Sequence, residues 1–227
     1  SRPDYPPELY EFIVSQVNGY ALCWDVATGN GQAAVALAQY FDRVVATDAS
    51  MAQLQKSIAR VNIDYRCEPA ESSSLEDKSV DLVTVAQALH WFDFEHFYQE
   101  VRRVLKPGGL VAAWTYGLLT VNSDIDTIIH NFYSGVLGNY WPPERKYVDE
   151  AYKTIPFPYH TIETANLSIK REWSLEQLCG YLESWSAVQQ YKKENGSSGI
   201  ATIKQQLEPY WAKNLTGTWS QLGQAKK

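Results

Sequence analysis

The apolar positions of this chain switch repeatedly between two periods. After Pro6 and Pro7, the residues Leu9, Phe12, Ile13 and Val17 recur at three- and four-residue spacing and stop at Asn18 and Gly19, which predicts an amphipathic helix. The next run, ALCWDVA, is short, almost wholly apolar and bounded by TGNG, as expected of a strand buried on both faces. GQAAVALAQYF then carries a helical stripe at Val35, Leu37, Ala38 and Phe41. The alternation continues through strand RVVAT, helix MAQLQKSI, strands VNIDYRC and VDLVTVA, helix FEHFYQEVRRVL, turn KPGG and strand LVAAWT. Strands separated by helical segments imply βαβ units with right-handed crossovers. Residues 20–116 therefore predict an α/β core, an open, mostly parallel sheet with helices on both faces.

From Gly117 the pattern changes. IDTIIHNFYSGVL is helical in period, and NYWPPERKYVDEAYKTIPFPY is rich in Tyr, Trp and Pro without a clear period, so 117–158 reads as an inserted helical and aromatic lid. ETANLSIKREW alternates like a strand, and SLEQLCGYLESWSAV has a Ser cap and a helical stripe, so the α/β pattern resumes near residue 160. KKENGSSG reads as a solvated loop, and the segment around GTWSQLG as a last strand. With neither an internal repeat nor a long linker, 1–227 reads as a single domain.

Composition narrows the function classes. The chain has 227 residues, 45% of them apolar, which is enough to bury a sizeable core. Twenty basic and 26 acidic side chains give a formal charge of −6, so no broad positive field exists to collect phosphate backbones, and nucleic acid is not an expected partner. Cys23, Cys67 and Cys179 are odd in number and far apart, which suits neither a disulfide framework nor a CxxC site and points to a reducing, cytoplasmic setting. No apolar run approaches the ~20 residues of a spanning helix, so no membrane partner is expected. His96, His130 and His160 are dispersed without metal-ligand spacing, and no metal site is expected.

The chemistry concentrates in DVATGNGQAA and in Asp48 at the end of the following strand. Small residues after a buried strand let backbone pass close to a ligand, and a carboxylate 19 residues beyond Gly29 sits where it can accept both hydroxyls of a ribose. Gly29, Gly31 and Ala34 also satisfy the GxGxxG/A dinucleotide fingerprint, so an NAD-dependent oxidoreductase competes with other nucleoside binders at this point. Asp25, at the end of the first strand, favours a cationic amino-acid head and opposes a pyrophosphate. ALHWF at 88–92 follows the fourth strand, at the end of an open sheet where ligands bind, and LKPGG at 105–109 reads as a helix stop and turn.

In combination, DVATGNG, ATDAS, EPAE, VDLVTVAQALHWF and VLKPGG resemble the type 11 branch of class I S-adenosylmethionine-dependent methyltransferases. The RPxYP start and the AQALHWFD-like run are most similar to the branch containing trans-aconitate methyltransferase and its plant and fungal relatives, over roughly residues 1–160. One departure is Ala27, where many members have the first glycine of DxGxGxG. The resemblance implies a Rossmann-like methyltransferase fold with S-adenosyl-L-methionine as cofactor and S-adenosyl-L-homocysteine as product. It implies that Asp25, Ala27, Thr28, Gly29 and Gly31 hold the methionine end, Asp48 the ribose, and Ala49 and Met51 the adenine flanks. Ala70 and Glu71 would meet the adenine edge, Ala86, Gln87 and Ala88 would pass beneath the sulfonium, and His90 and Trp91 would face the methyl acceptor. His90 is the candidate catalytic group, with a free pKa of about 6.5 compatible with proton transfer. The clustered rings of the lid, together with Arg145, suit a small-molecule acceptor such as an organic acid. A cofactor-binding scaffold without catalysis and a protein methyltransferase are the competing readings within this resemblance.

Overall fold

The computed structural model describes residues 3–162, 167–211 and 215–226. Packing divides them into two compact units, one holding 5–116, 147–162, 167 and 221–226, the other 3–4, 117–146, 168–211 and 215–220.

The first unit runs α1 (Pro7–Ser15), β1 (Leu22–Val26), α2 (Gln32–Leu37), β2 (Arg43–Thr47), α3 (Met51–Leu54), β3 (Ile63–Arg66), β4 (Val80–Ala86), α4 (Phe94–Val104) and β5 (Leu105–Thr120), whose residues up to Tyr116 belong here. The strands pair in parallel in the order β3-β2-β1-β4-β5. The sheet continues through β8 (Leu215–Lys226) to β6 (Thr161–Ile162), which pair antiparallel. This is the open, mostly parallel sheet that the alternation predicts.

Successive side chains of a strand point to opposite faces, and the central strands are apolar on both. Cys23, Leu82, Leu110, Ala112 and Trp114 face a core made with α1 and α2. Trp24, Val26, Val83, Val85, Val111 and Ala113 face a second core made with Phe97, Val101 and Val104 of α4. Helix α4 starts where Asp93 accepts from the His96 N–H at 3.2 Å. Its Glu100 accepts from the Ser73 N–H at 2.7 Å and from Arg103, which also donates to Leu75 O and Asp77 at 2.7 Å, so one ion-pair network ties the β3–β4 connection to the helix.

The LKPGG run differs from the expected turn. Leu105 already pairs with Val80, a register shift absorbs the next residues, and Lys106 reaches the buried Asp81 at 2.7 Å. Asp81 also accepts from Leu22 N at 3.0 Å, so this motif fastens the end of the sheet opposite the glycine turn.

In the second unit, α5 (Ser123–His130) passes into a π-helical turn at Asn131–Val136. Then come α6 (Arg145–Asp149), whose residues up to Lys146 belong here, β7 (Leu167–Trp173), α7 (Leu175–Glu183), α8 (Ser186–Asn195) and α9 (Ile200–Leu207). Trp173, Tyr181 and Trp219 pack together with ring centroids 4.9–5.7 Å apart. The expected KKENGSSG loop is a correction: KKEN completes α8, because Lys and Glu are good helix formers, and a left-handed Gly196 ends it. Helix α9 follows in a segment to which the sequence pattern had assigned no element. The segment read as a lid to 158 is shared out, with 117–146 in the second unit and 147–158 beside the sheet. Residues 163–166 of the expected ETANLSIKREW strand lie outside the described residues. Among the described residues no helix is long and apolar enough to cross a membrane.

Candidate functional site

The β1–α2 turn is built from three left-handed residues, Ala27 (φ 51°), Gly29 (φ 60°) and Gly31 (φ 85°). Glycine adopts this region freely, whereas an alanine there carries a penalty of roughly 1–2 kcal/mol. Ala27 thus takes a left-handed conformation despite its Cβ. A Cβ at Gly31 would run into the Tyr65 hydroxyl, while one at Gly29 would meet nothing within 4 Å, so the turn is open at Gly29. The turn is fastened to β2 by Thr28 N donating to Thr47 O at 2.9 Å, and Trp24 Nε1 donates to Thr47 Oγ1 at 2.9 Å just behind it.

Asp48, half-buried at the end of β2, accepts from the Gly29 N–H on one carboxylate oxygen and from the Ser50 N–H on the other, both at 2.8 Å. Each carboxylate oxygen can accept more than one hydrogen bond, so both keep capacity for ligand hydroxyls. Ala49 and Met51, the latter 53% exposed, follow at the start of α3.

Asp25 occupies a different setting. It is fully buried, and its carboxylate accepts from Thr28 Oγ1 at 2.5 Å, from Thr84 Oγ1 at 2.7 Å and from the Ala34 backbone. Burial pushes its pKa up to about 6, against the lowering effect of these donors, and the neighbouring Asp48 raises it further. The sequence places Asp25 at the ligand's cationic head. The structure encloses it beneath the turn, where Thr28 and Thr84 donate to its carboxylate.

Beyond β3, Ala70 is buried, and Glu71 accepts from the Asp93 N–H at 3.1 Å, which links the β3–β4 connection to the start of α4. At the end of β4, Gln87 is left-handed (φ 57°). Its side chain accepts from Thr115 Oγ1 at 2.9 Å and donates to Tyr116 O at 3.3 Å, so it clamps β4 to β5 between half-buried Ala86 and buried Ala88. A 3-10 turn then carries His90, 7% exposed, and Trp91, 53% exposed, with their rings 4.7 Å apart. His90 Nδ1 lies 2.8 Å from the Tyr152 hydroxyl.

Arg145 belongs to the second unit. There it donates to the Tyr133 hydroxyl at 2.7 Å and lies over the Trp141 ring at 4.7 Å. Sequence reasoning missed Thr28 and Thr84 as partners of Asp25, Thr115 as partner of Gln87, and Tyr152 as partner of His90. A lone hydroxyl residue carries no motif of its own, and these pairs are 28–62 positions apart except for Thr28, which follows Asp25 by three.

The residues present fit S-adenosylmethionine. The open backbone at Gly29 admits close approach, Asp48 can accept ribose hydroxyls, and two carboxylates under one turn suit a ligand with cationic centres while repelling a pyrophosphate. A family model described as a methyltransferase domain matches residues 24–113. A Dictyostelium discoideum protein described as a methyltransferase is 35% identical over 210 residues, 91% of this chain and 80% of its own length. The solved structure of a protein from Anaeromyxobacter dehalogenans, described as a type II methyltransferase, superposes with a TM-score of 0.92 at 36% identity, covering 100% of this chain and 98% of that one. A Bacillus halodurans structure described as a methyltransferase, 21% identical with 97% of each chain covered, shares the fold at a TM-score of 0.55. The glycine fingerprint is thereby resolved away from NAD: the chain belongs to the methyltransferase family and is an S-adenosylmethionine-dependent methyltransferase.

Proposed function

We propose that this enzyme methylates a small molecule and that the accepting atom is a carboxylate oxygen of a small organic acid. The observation that carries the cofactor side is the clamp of Asp48 on the open, left-handed Gly29 turn, with buried Asp25 beneath it. In this reading Asp48 takes the ribose, Ala49 and Met51 flank the adenine, and Ala70 and Glu71 meet its edge. The turn from Ala27 to Gly31 holds the methionine end in the field of Asp25. Ala86, Gln87 and Ala88 line the reacting centre, and His90 and Trp91 face the acceptor. The bound cofactor supplies a methyl group already activated on a sulfonium, so the residues have to align the acceptor with it and exclude water.

The carboxylate assignment is supported by the sequence resemblance to the trans-aconitate branch and by the setting of His90, a buried imidazole engaged by a hydroxyl. A carboxylate is ionised at neutral pH and needs no base. The test is incubation with methyl-labelled cofactor and a panel of small acids, alcohols and amines. Base-labile label on acids is the expected result, and base-stable label confined to alcohols or amines overturns the carboxylate assignment. In parallel, S-adenosylhomocysteine at a hundred times its Kd should stabilise the protein by about 2.7 kcal/mol, with no response to NAD.

A further inference from the structure

We infer that the second unit carries a small-molecule site of its own, a cleft between α5 and α9 that takes an uncharged, ring-bearing molecule with a hydrogen-bonding edge. This does not rest on the methyl-transfer reading, because the residues of the cleft all lie outside the unit that carries the glycine turn.

Two helical stripes form the cleft. Ile128, Phe132 and Val136 recur every four residues along α5 and the π-helical turn that continues it. Gly199, Thr202, Ile203 and Gln206 recur at three- and four-residue spacing from the start of α9. Where the stripes meet, Phe132 and Ile203 are buried and make an apolar floor. Leu137 N donates to Phe132 O at 2.9 Å, five residues back, and such widened turns concentrate at functional sites because they move side chains out of regular helix positions. Gly199 lets α9 begin close to this turn: a Cβ there would come within 3.3 Å of the Phe132 ring and 3.7 Å of the Tyr191 ring, and its φ of 72° also favours glycine. Tyr191 is held in place by the Tyr140 ring, edge-on at 5.0 Å, and by Asn195, whose amide donates to Tyr191 O at 3.0 Å and to the Tyr140 hydroxyl at 3.1 Å. The space so formed is about 520 Å³, within the range of roughly 300–1,000 Å³ that small-molecule sites occupy.

The lining sets the chemistry of the occupant. It contains no Asp, Glu, Lys, Arg or His, so an ion entering it would give up water without meeting a counter-charge. Asn131, Thr202 and Gln206 present amide and hydroxyl groups that donate and accept, and among the described residues none of these side chains has a hydrogen-bond partner. Val136, 45% exposed, and Tyr210, 50% exposed, leave apolar surface at the rim for a ring to cover. A neutral aromatic carboxamide satisfies all three conditions, and an organic acid such as the proposed methyl acceptor does not.

The experiment uses the full chain with 13C-labelled isoleucine methyl groups, Ile128→Val and Ile203→Val assigning the two lining signals by their loss. The probes are benzamide, benzoate and benzylammonium, similar in size and different in charge. Benzamide should shift both signals saturably at millimolar concentration, and the two ions should bind at least about tenfold more weakly. Thr202→Trp, at an exposed position, should fill the cleft and weaken benzamide at least about tenfold. Gln206→Ala should weaken it about fivefold, the equivalent of one hydrogen bond. Thermal melting shows whether each variant is folded. The inference is overturned by the lack of a saturable shift at either isoleucine, by benzoate binding as tightly as benzamide, or by unchanged affinity in a folded Thr202→Trp. A wild-type dimer in sedimentation that Thr202→Trp dissociates would give the cleft to a second copy of the chain and overturn it equally. If Thr202→Trp does not fold, the charge series and Gln206→Ala still decide.

Discussion

Asp25 and Asp48 end adjacent parallel strands, yet their surroundings set them to different tasks. Asp48 is half-buried and holds two backbone N–H groups, one of them in the glycine turn. Asp48→Ala should weaken S-adenosylmethionine binding at least about tenfold, since charge-assisted hydrogen bonds are worth roughly 1.5 kcal/mol or more each. Unchanged affinity in calorimetry would remove the ribose assignment. Asp25 is enclosed, and its pKa of about 6 lies above the ordinary 3.8. Between those values the folded chain keeps a proton that the unfolded chain has lost. The carboxyl's contribution is therefore present in full below about pH 4 and falls away as pH rises through 6, by on the order of 3 kcal/mol. Urea titrations of wild type and Asp25→Asn across pH 4–8 check this: the wild type should lose stability relative to the variant as pH rises, and a pH-independent difference would refute it.

The elements were legible in the sequence wherever burial on both faces or a clean helical stripe marked them. Strands β1 and β4 are mostly apolar on both faces because both faces are covered, and α4 repeats its buried residues at 97, 101 and 104. The glycine turn was legible for a different reason, since left-handed backbone restricts residue type locally. What stayed hidden depends on partners distant in sequence. Asp25 was legible as an acid at the end of β1, but nothing in its neighbourhood announces its partner Thr84 from β4. Glu71 read as an adenine contact, and the structure adds its bond to the start of α4. KKEN read as loop by polarity alone, although those residues are also helix formers. The connection carrying Glu71 depends on the Glu100–Arg103–Asp77 network, in which Glu100 is 8% exposed. Because Arg103 is itself about one-third exposed, Arg103→Met should lower stability by only about 1–2 kcal/mol. It should also speed amide exchange across 67–79 more than in β1 or β4. Equal protection in that segment would show that the connection holds without the network.

At the scale of the molecule, the formal charge of −6 and the two acids at the turn would, in the proposed cofactor site, act in the same direction on a cationic cofactor. The field also distinguishes the two forms in which that cofactor visits the enzyme. S-adenosylhomocysteine, lacking the transferred methyl, has one positive charge fewer, so an ionised Asp25 favours it less than it favours the methyl donor. Product inhibition should then depend on acidity. With Asp25 protonated, below about pH 6, the enzyme discriminates less between donor and spent product, and turnover slows as product accumulates. Above that pH the balance of affinities shifts toward the donor and inhibition relaxes. The ratio of the two Kd values, measured on either side of pH 6 for wild type and Asp25→Asn, should move in the wild type and stay flat in the variant.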